Sequence, residues 1–176
     1  MAEVLPLSEG ELQLLESLLR HRVRFLVVGL SAAALQGAPV VTEYVDLWFQ
    51  NLNDPEFLQA LQQVEAAYVP PFGNNPSMLA GRHSEPFDVV ISMSGLRPFA
   101  DEFKGAVQIP VGRLRLKVLP LDRILASKTA ANRPKDRLVM PVLQNALRTI
   151  QVIESSPRKK RTNEPPKAKR KGGRQS

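Results

Sequence analysis

Cysteine is absent from this 176-residue chain, and histidine occurs only as His21 and His83. Without cysteine neither a disulfide framework nor a thiolate metal site can form, and the redox compartment is left open. Two histidines so far apart argue against a histidine-rich metal centre. No apolar run approaches the roughly 20 residues of a membrane span. The opening "MAEVLPLSEGELQLLESLL" has acids among its leucines and lacks the basic start of a secretory signal. These absences predict a soluble, cytoplasmic protein with no membrane partner.

What is present is enough for one core: 43% of the residues are hydrophobic, and a chain of this length is too short for two domains to be expected. The formal net charge of +7 and the pI near 10.1 suggest a nucleic-acid binder, but the charge is unevenly spread. From Pro157 onward there are nine basic residues and a single acid, Glu164, whereas the other 156 residues carry 15 basic against 16 acidic. Apolar residues nearly vanish after Ser155, so residues 156–176 are expected to be a disordered basic tail. Residues 1–155 form the expected domain, and the sequence shows no internal repeats.

Within that domain, Ser8 followed by Glu11 resembles a capping box, and leucines at helical spacing predict a helix over residues 8–21. "VRFLVVG" reads as a buried strand ending at Gly29, followed by an alanine-rich helix that stops at Gly37. "TEYVDLWFQ" reads as a second strand beside the first. Asp54 and Pro55 open a helix over 54–66, and residues 69–86, rich in Pro, Gly and Asn, are expected to be largely loop. "FDVVISM" is a third strand. "VQIPVGRLRLKVLP" is an expected hairpin whose first arm Pro110 restricts to an edge. Two helices follow, the first capped by Asp122, with Pro141 the possible first turn of yet another.

Three groupings offer chemistry. Gly29 and Ser31, where a strand runs into a helix, leave N–H groups suited to phosphate, although any such junction favours small residues. Asp46 and Asp88, on neighbouring strands, offer two carboxylates to a divalent cation such as Mg²⁺ or Mn²⁺. The alternative is that Asp46 bonds a neighbouring backbone group or pairs with Lys128 or Arg133. In "LDRILASKTAANRPKDR", Lys128, Arg133, Lys135 and Asp136 suit nucleotide phosphates, or make an exposed turn laced with salt bridges.

In this order, "FLVVGLSAAALQGAPVVTEYVDLWF", "FDVVISMSGLRPF" and "LPLDRILASKTAANRPKD" together resemble the nucleotidyltransferase superfamily with DNA polymerase β-like folds. They are most similar to its bacterial branch of small AbiEii-like proteins, often parts of toxin–antitoxin systems. The resemblance spans about residues 8–150. It implies an α/β (α+β) fold: a mixed sheet of four or five strands flanked by helices, with C-terminal helices packed against it. It also implies Asp46 and Asp88 as metal-binding and catalytic carboxylates, with Gly29, Ser31, Lys128, Arg133, Lys135 and Asp136 around a nucleoside triphosphate.

Three positions depart from the family pattern. Leu30 replaces the second glycine of the turn, Val40 stands where arginine is usual, and Tyr44 occupies the place of the first carboxylate of the Asp-x-Asp pair. Gln36 stands where histidine is common. A phenol carries no charge at neutral pH to offset a cation. The resemblance thus implies a degenerate active site that binds a nucleotide, a partner protein or RNA; the alternative is an active transferase using Asp46 and Asp88 with one metal. The basic tail is a further expected contact for nucleic acid.

Overall fold

The computed structural model describes residues 5–156; the expected basic tail beyond them lies outside the described residues. Ser8 accepts a hydrogen bond from Glu11 N and Glu11 answers at Ser8 N, the capping box that starts helix α1 (Glu9–Arg20). Strand β1 (Phe25–Val28) follows and is buried throughout. Helix α2 (Gly29–Leu35) leads to strand β2 (Val45–Phe49) and helix α3 (Pro55–Gln62). Next come strands β3 (Ala66–Val69), β4 (Met78–Gly81) and β5 (Phe87–Val90), helix α4 (Phe99–Lys104) and the hairpin β6 (Val107–Val111) and β7 (Leu114–Val118). Helices α5 (Leu121–Ala131) and α6 (Pro134–Ser155) complete the order.

The seven strands form one mixed sheet in the order β3-β4-β5-β2-β1-β7-β6. β2 pairs antiparallel with β1 and parallel with β5, and β1 pairs parallel with β7. Register and alternation divide the central strands into two faces. Phe25, Val27, Val45, Leu47 and Phe49 share one face, where Phe49 meets Phe57 of α3 at 4.8 Å between ring centroids. Ser17 of α1 donates to Ala60 O at 2.7 Å and so ties α1 to α3. Leu26, Val28, Asp46 and Trp48 share the other face, where Trp48 packs edge-on against Phe99 of α4 at 5.2 Å. Asp46 is the single charged member of these central rows.

The structure corrects several boundaries. The sheet has seven strands, not four or five, because β3 begins where the helix over 54–66 was expected to end, and the segment expected to be loop over 69–86 holds β4, paired along its length with β3. The helix expected over 54–66 stops at Gln62, and Glu65 turns the chain through a positive φ of 57° into β3. Asp122 lies in the first turn of α5, whose N-cap is Pro120. Pro141 lies inside one continuous α6 and starts no separate helix. Pro110 sits in β6, an edge strand, where its missing N–H costs no ladder bond.

Candidate functional site

The junction of β1 and α2 is built on one glycine. Gly29 has a φ of +64°, a left-handed conformation natural to glycine, and a Cβ there would overlap the carboxylate of Asp46. Leu30 is already helical, so the missing second glycine is not required by the backbone. Ser31 is fully buried; its hydroxyl donates to Val28 O at 2.9 Å and accepts from Asp46 N at 3.3 Å. It fixes β2 to the helix start and faces away from solvent. Gln36 donates to Ala32 O and Leu119 O, both at 2.9 Å, and accepts from Leu121 N at 3.0 Å, so it holds the end of α2 to the start of α5.

Asp46 and Asp88 stand directly opposite each other on paired strands, so their side chains share a face. Asp46 is partly buried and Asp88 exposed. Burial, and then the neighbouring charge of Asp88, push the Asp46 carboxyl up to about 6, while Lys128 and Lys135 pull it back. Tyr44 precedes β2 and is 51% exposed. Thr42 closes a small turn around it, donating to Tyr44 O at 2.9 Å and accepting from Tyr44 N at 3.3 Å. Val40 packs against the core and brings no charge to the cleft.

The basic wall is organised by Asp136. Asn132 ends α5 in a left-handed conformation (φ 48°), and Pro134 opens α6. That tight turn brings Lys128 within 2.9 Å and Arg133 within 2.7 Å of the fully buried Asp136 carboxylate. Burial opposes its charge, but hydrogen bonds from Arg133 and Lys128 outweigh the penalty and hold the carboxyl at about 2. Lys128 and Arg133 therefore pair with Asp136, and Asp46 keeps neither of them as a direct partner.

These elements enclose a cleft of about 390 Å³. It brings together Gly29, Asp46, Lys128, Arg133 and Lys135, with Asp136 beneath its basic wall and Ser31 behind its floor. Asp88 and Tyr44 are not among the lining residues. The remaining lining, from Val28 on β1, Val90 at the end of β5, Ser92, Met93 and Ser94 after it, and Ile124, Ser127 and Ala131 on α5, was missed by sequence reasoning. Helical spacing from Lys128 would have found the α5 residues, which sit at i−4, i−1 and i+3.

No family model matches the sequence, and no curated protein matches it. Among solved structures, the chain is similar to the crystal structure of ANT(2″)-Ia in complex with adenylyl-2″-tobramycin, with TM-score 0.51, 10% identity, and coverage of 81% of this chain and 91% of that one. It is similar also to the solution structure of the antibiotic-resistance factor ANT(2″)-Ia, with TM-score 0.51, 8% identity, and coverage of 82% and 84%. The fold is nucleotidyltransferase-like. At these identities the likeness establishes architecture alone.

The nucleotidyltransferase-like fold raises the question of a metal. Among the described residues, no group of three or more His, Cys, Asp or Glu side chains is arranged to hold an ion. Asp46 and Asp88 are two carboxylates in register, one of them held toward its neutral form at mildly acidic pH. That donor set does not fit a two-metal centre, which needs further carboxylates to bridge and clamp both ions. Asp46 and Asp88 would hold at most one divalent cation, which would supply positive charge against a bound phosphate.

Proposed function

We propose that the protein binds a nucleotide through its phosphates in this cleft and does not transfer it: a degenerate member of the nucleotidyltransferase superfamily, of the small AbiEii-like kind. The observation that carries this reading is Tyr44. The position two residues before Asp46 holds an exposed phenol in place of a carboxylate, while Lys128, Arg133 and Lys135 line the cleft. Phosphate binding needs the cations and backbone donors. In-line transfer needs the missing anionic ligand as well.

A single Mg²⁺ or Mn²⁺ held by Asp46 and Asp88 would supply charge neutralisation for a bound triphosphate. Asp136 fixes the two cations nearest it, while Lys135, exposed and close enough to lower the Asp46 pKa, contributes charge from the start of α6. A toxin–antitoxin role, with a protein or RNA partner, belongs to this reading as its biological setting. Calorimetric titration with ATP in Mg²⁺ is expected to show saturable binding that Lys135→Ala weakens about tenfold, or ~1.4 kcal/mol. Absence of binding by the wild-type protein would remove the basis of the proposal.

The second reading is an active one-metal transferase that moves a nucleoside monophosphate to a protein, RNA or small-molecule acceptor. It is favoured by the direct opposition of Asp46 and Asp88 in register. Labelled-nucleotide incorporation that disappears in Asp46→Ala would decide for it.

A further inference from the structure

The sheet ends in two edge strands, β6 and β3. An edge presents unpaired main-chain N–H and C=O groups, and proteins guard such edges with proline, charge or a covering segment. β6 carries Pro110 within the strand. β3 reads AAYV, with neither proline nor charge. It is no shorter than β1, β4 or β5, so shortness does not set it apart. Among the described residues, no main-chain group outside β4 bonds to Ala66–Val69.

The lack of charge extends over the whole hairpin of β3 and β4. From Ala66 through Gly81 no residue is charged, in a chain of which 23% is. The side chains that meet solvent there are largely apolar. Val69, Met78 and Asp88 stand in one row across β3, β4 and β5, and beyond the carboxylate Met78 is 50% and Val69 39% exposed. Ala67 shares that face and is exposed as well. At the tip, Phe72 and Asn75 exchange main-chain hydrogen bonds of 3.2 and 3.0 Å, and Phe72 is 84% exposed. None of these residues lines the cleft.

We propose that β3 pairs antiparallel with β3 of a second copy of this chain about a two-fold axis, joining the two sheets edge to edge. A nucleic acid would be met by cations, and the hairpin has none. A lipid surface would take the apolar side chains but leave the main-chain edge without partners. Another strand satisfies both. This strand suits its own copy in particular, because an uncharged edge meets no like charge across a two-fold axis. Residues opposite each other share a face of the joined sheet, so the exposed faces of both hairpins fall on the same side. With the axis at Ala67, that methyl group faces its own copy, and Ala66 lies opposite Tyr68 of the second copy. A small side chain thus meets a large one on the side of α3, where Tyr68 already packs against Phe57.

The test is light scattering of the full chain over a concentration series, for the wild-type protein, for Ala67→Lys, for Ala67→Glu and for the two variants mixed. Ala67 is exposed, so either charge is carried without loss of packing, and circular dichroism of each variant checks this. The inference expects the mass of two chains for the wild-type protein and of one chain for each variant alone, where like charges are opposed. The mixture is expected to recover the mass of two chains, since lysine and glutamate then face each other; a misfolded variant would not recover it. A wild-type mass of one chain at every concentration overturns the inference and leaves the edge to a different polypeptide. A mass of two chains in both variants overturns it by placing the contact elsewhere, as does a mixture that stays at one.

Discussion

Asp46 carries its charge at a cost to the fold, and that cost has a definite pH dependence. Its carboxyl is raised from 3.8 to about 6 by burial and by Asp88, so above pH 6 the native state bears the whole penalty. Between about 6 and 4 the native state binds a proton that the unfolded chain does not, and stability rises as pH falls. Below that window both states are protonated and the penalty is gone. With chelator present, Asp46→Asn is therefore expected to stabilise the protein by about 2 kcal/mol at pH 7.5 and to leave it unchanged near pH 3.5. Denaturant unfolding at the two pH values measures this, and destabilisation at pH 7.5 would contradict it. Gly29→Ala is expected to destabilise by about 2 kcal/mol or more, since it combines a left-handed backbone with overlap of Asp46; a neutral result in the same assay would mean that the junction relaxes. The pairing of Asp46 with Asp88 was legible because acids flanked by apolar residues on strands are costly without a reason. The structural role of Asp136 was not, because its burial and its partners depend on the turn between α5 and α6.

The hairpin of β6 and β7, the capping box of α1 and the helical character of α5 and α6 were legible because each is specified by local residues. β3 and β4 were not. They are four residues each, one of them "MLAG", embedded among Pro, Gly and Asn, and it is pairing with each other and with β5 that makes them strands. Pro141 reads as a break, yet packing of α6 against α5 carries the helix through it; Leu143 and Ala146, just beyond, are buried. Helix α4 owes its position to Glu102, which is almost completely buried. Its carboxylate accepts from Arg123 at 2.6 Å and 3.0 Å and from Arg97 N at 3.1 Å, joining α4, α5 and the loop before α4. The Arg123 hydrogen bonds, helped by Arg97 against the cost of burial, hold the carboxyl at about 2. Because the pKa is lowered, the stability this provides is complete above the unfolded value of 4.5 and is lost as pH falls toward 2. Glu102→Gln is expected to cost about 3 kcal/mol at pH 7 and much less at pH 2, as read by chemical unfolding. An equal cost at both pH values would show that packing, not charge, is what Glu102 provides.

The molecule as a whole joins a near-neutral body to a strongly basic terminal segment, and the two have separable expectations. Removing residues 157–176 takes away nine basic residues and one acid and is expected to abolish salt-sensitive retention on nucleic acid. Filter binding at low and moderate salt measures this; unchanged retention would assign the contact to the body. The nucleotidyltransferase-like architecture was legible through the family resemblance that three motifs carry in this order. Activity was not legible in the same way, since it turns on the ligands at a few positions that the fold tolerates in many forms. Tyr44 is the position on which that question rests. The most direct measurement is transfer of label from α-labelled ATP with Mg²⁺ by the wild-type protein and by Tyr44→Asp, alongside ATP binding by each. The wild-type protein is expected to bind ATP and transfer nothing, and Tyr44→Asp is expected to tighten metal-dependent binding. Efficient transfer by the wild-type protein, abolished by Asp46→Ala, would contradict this.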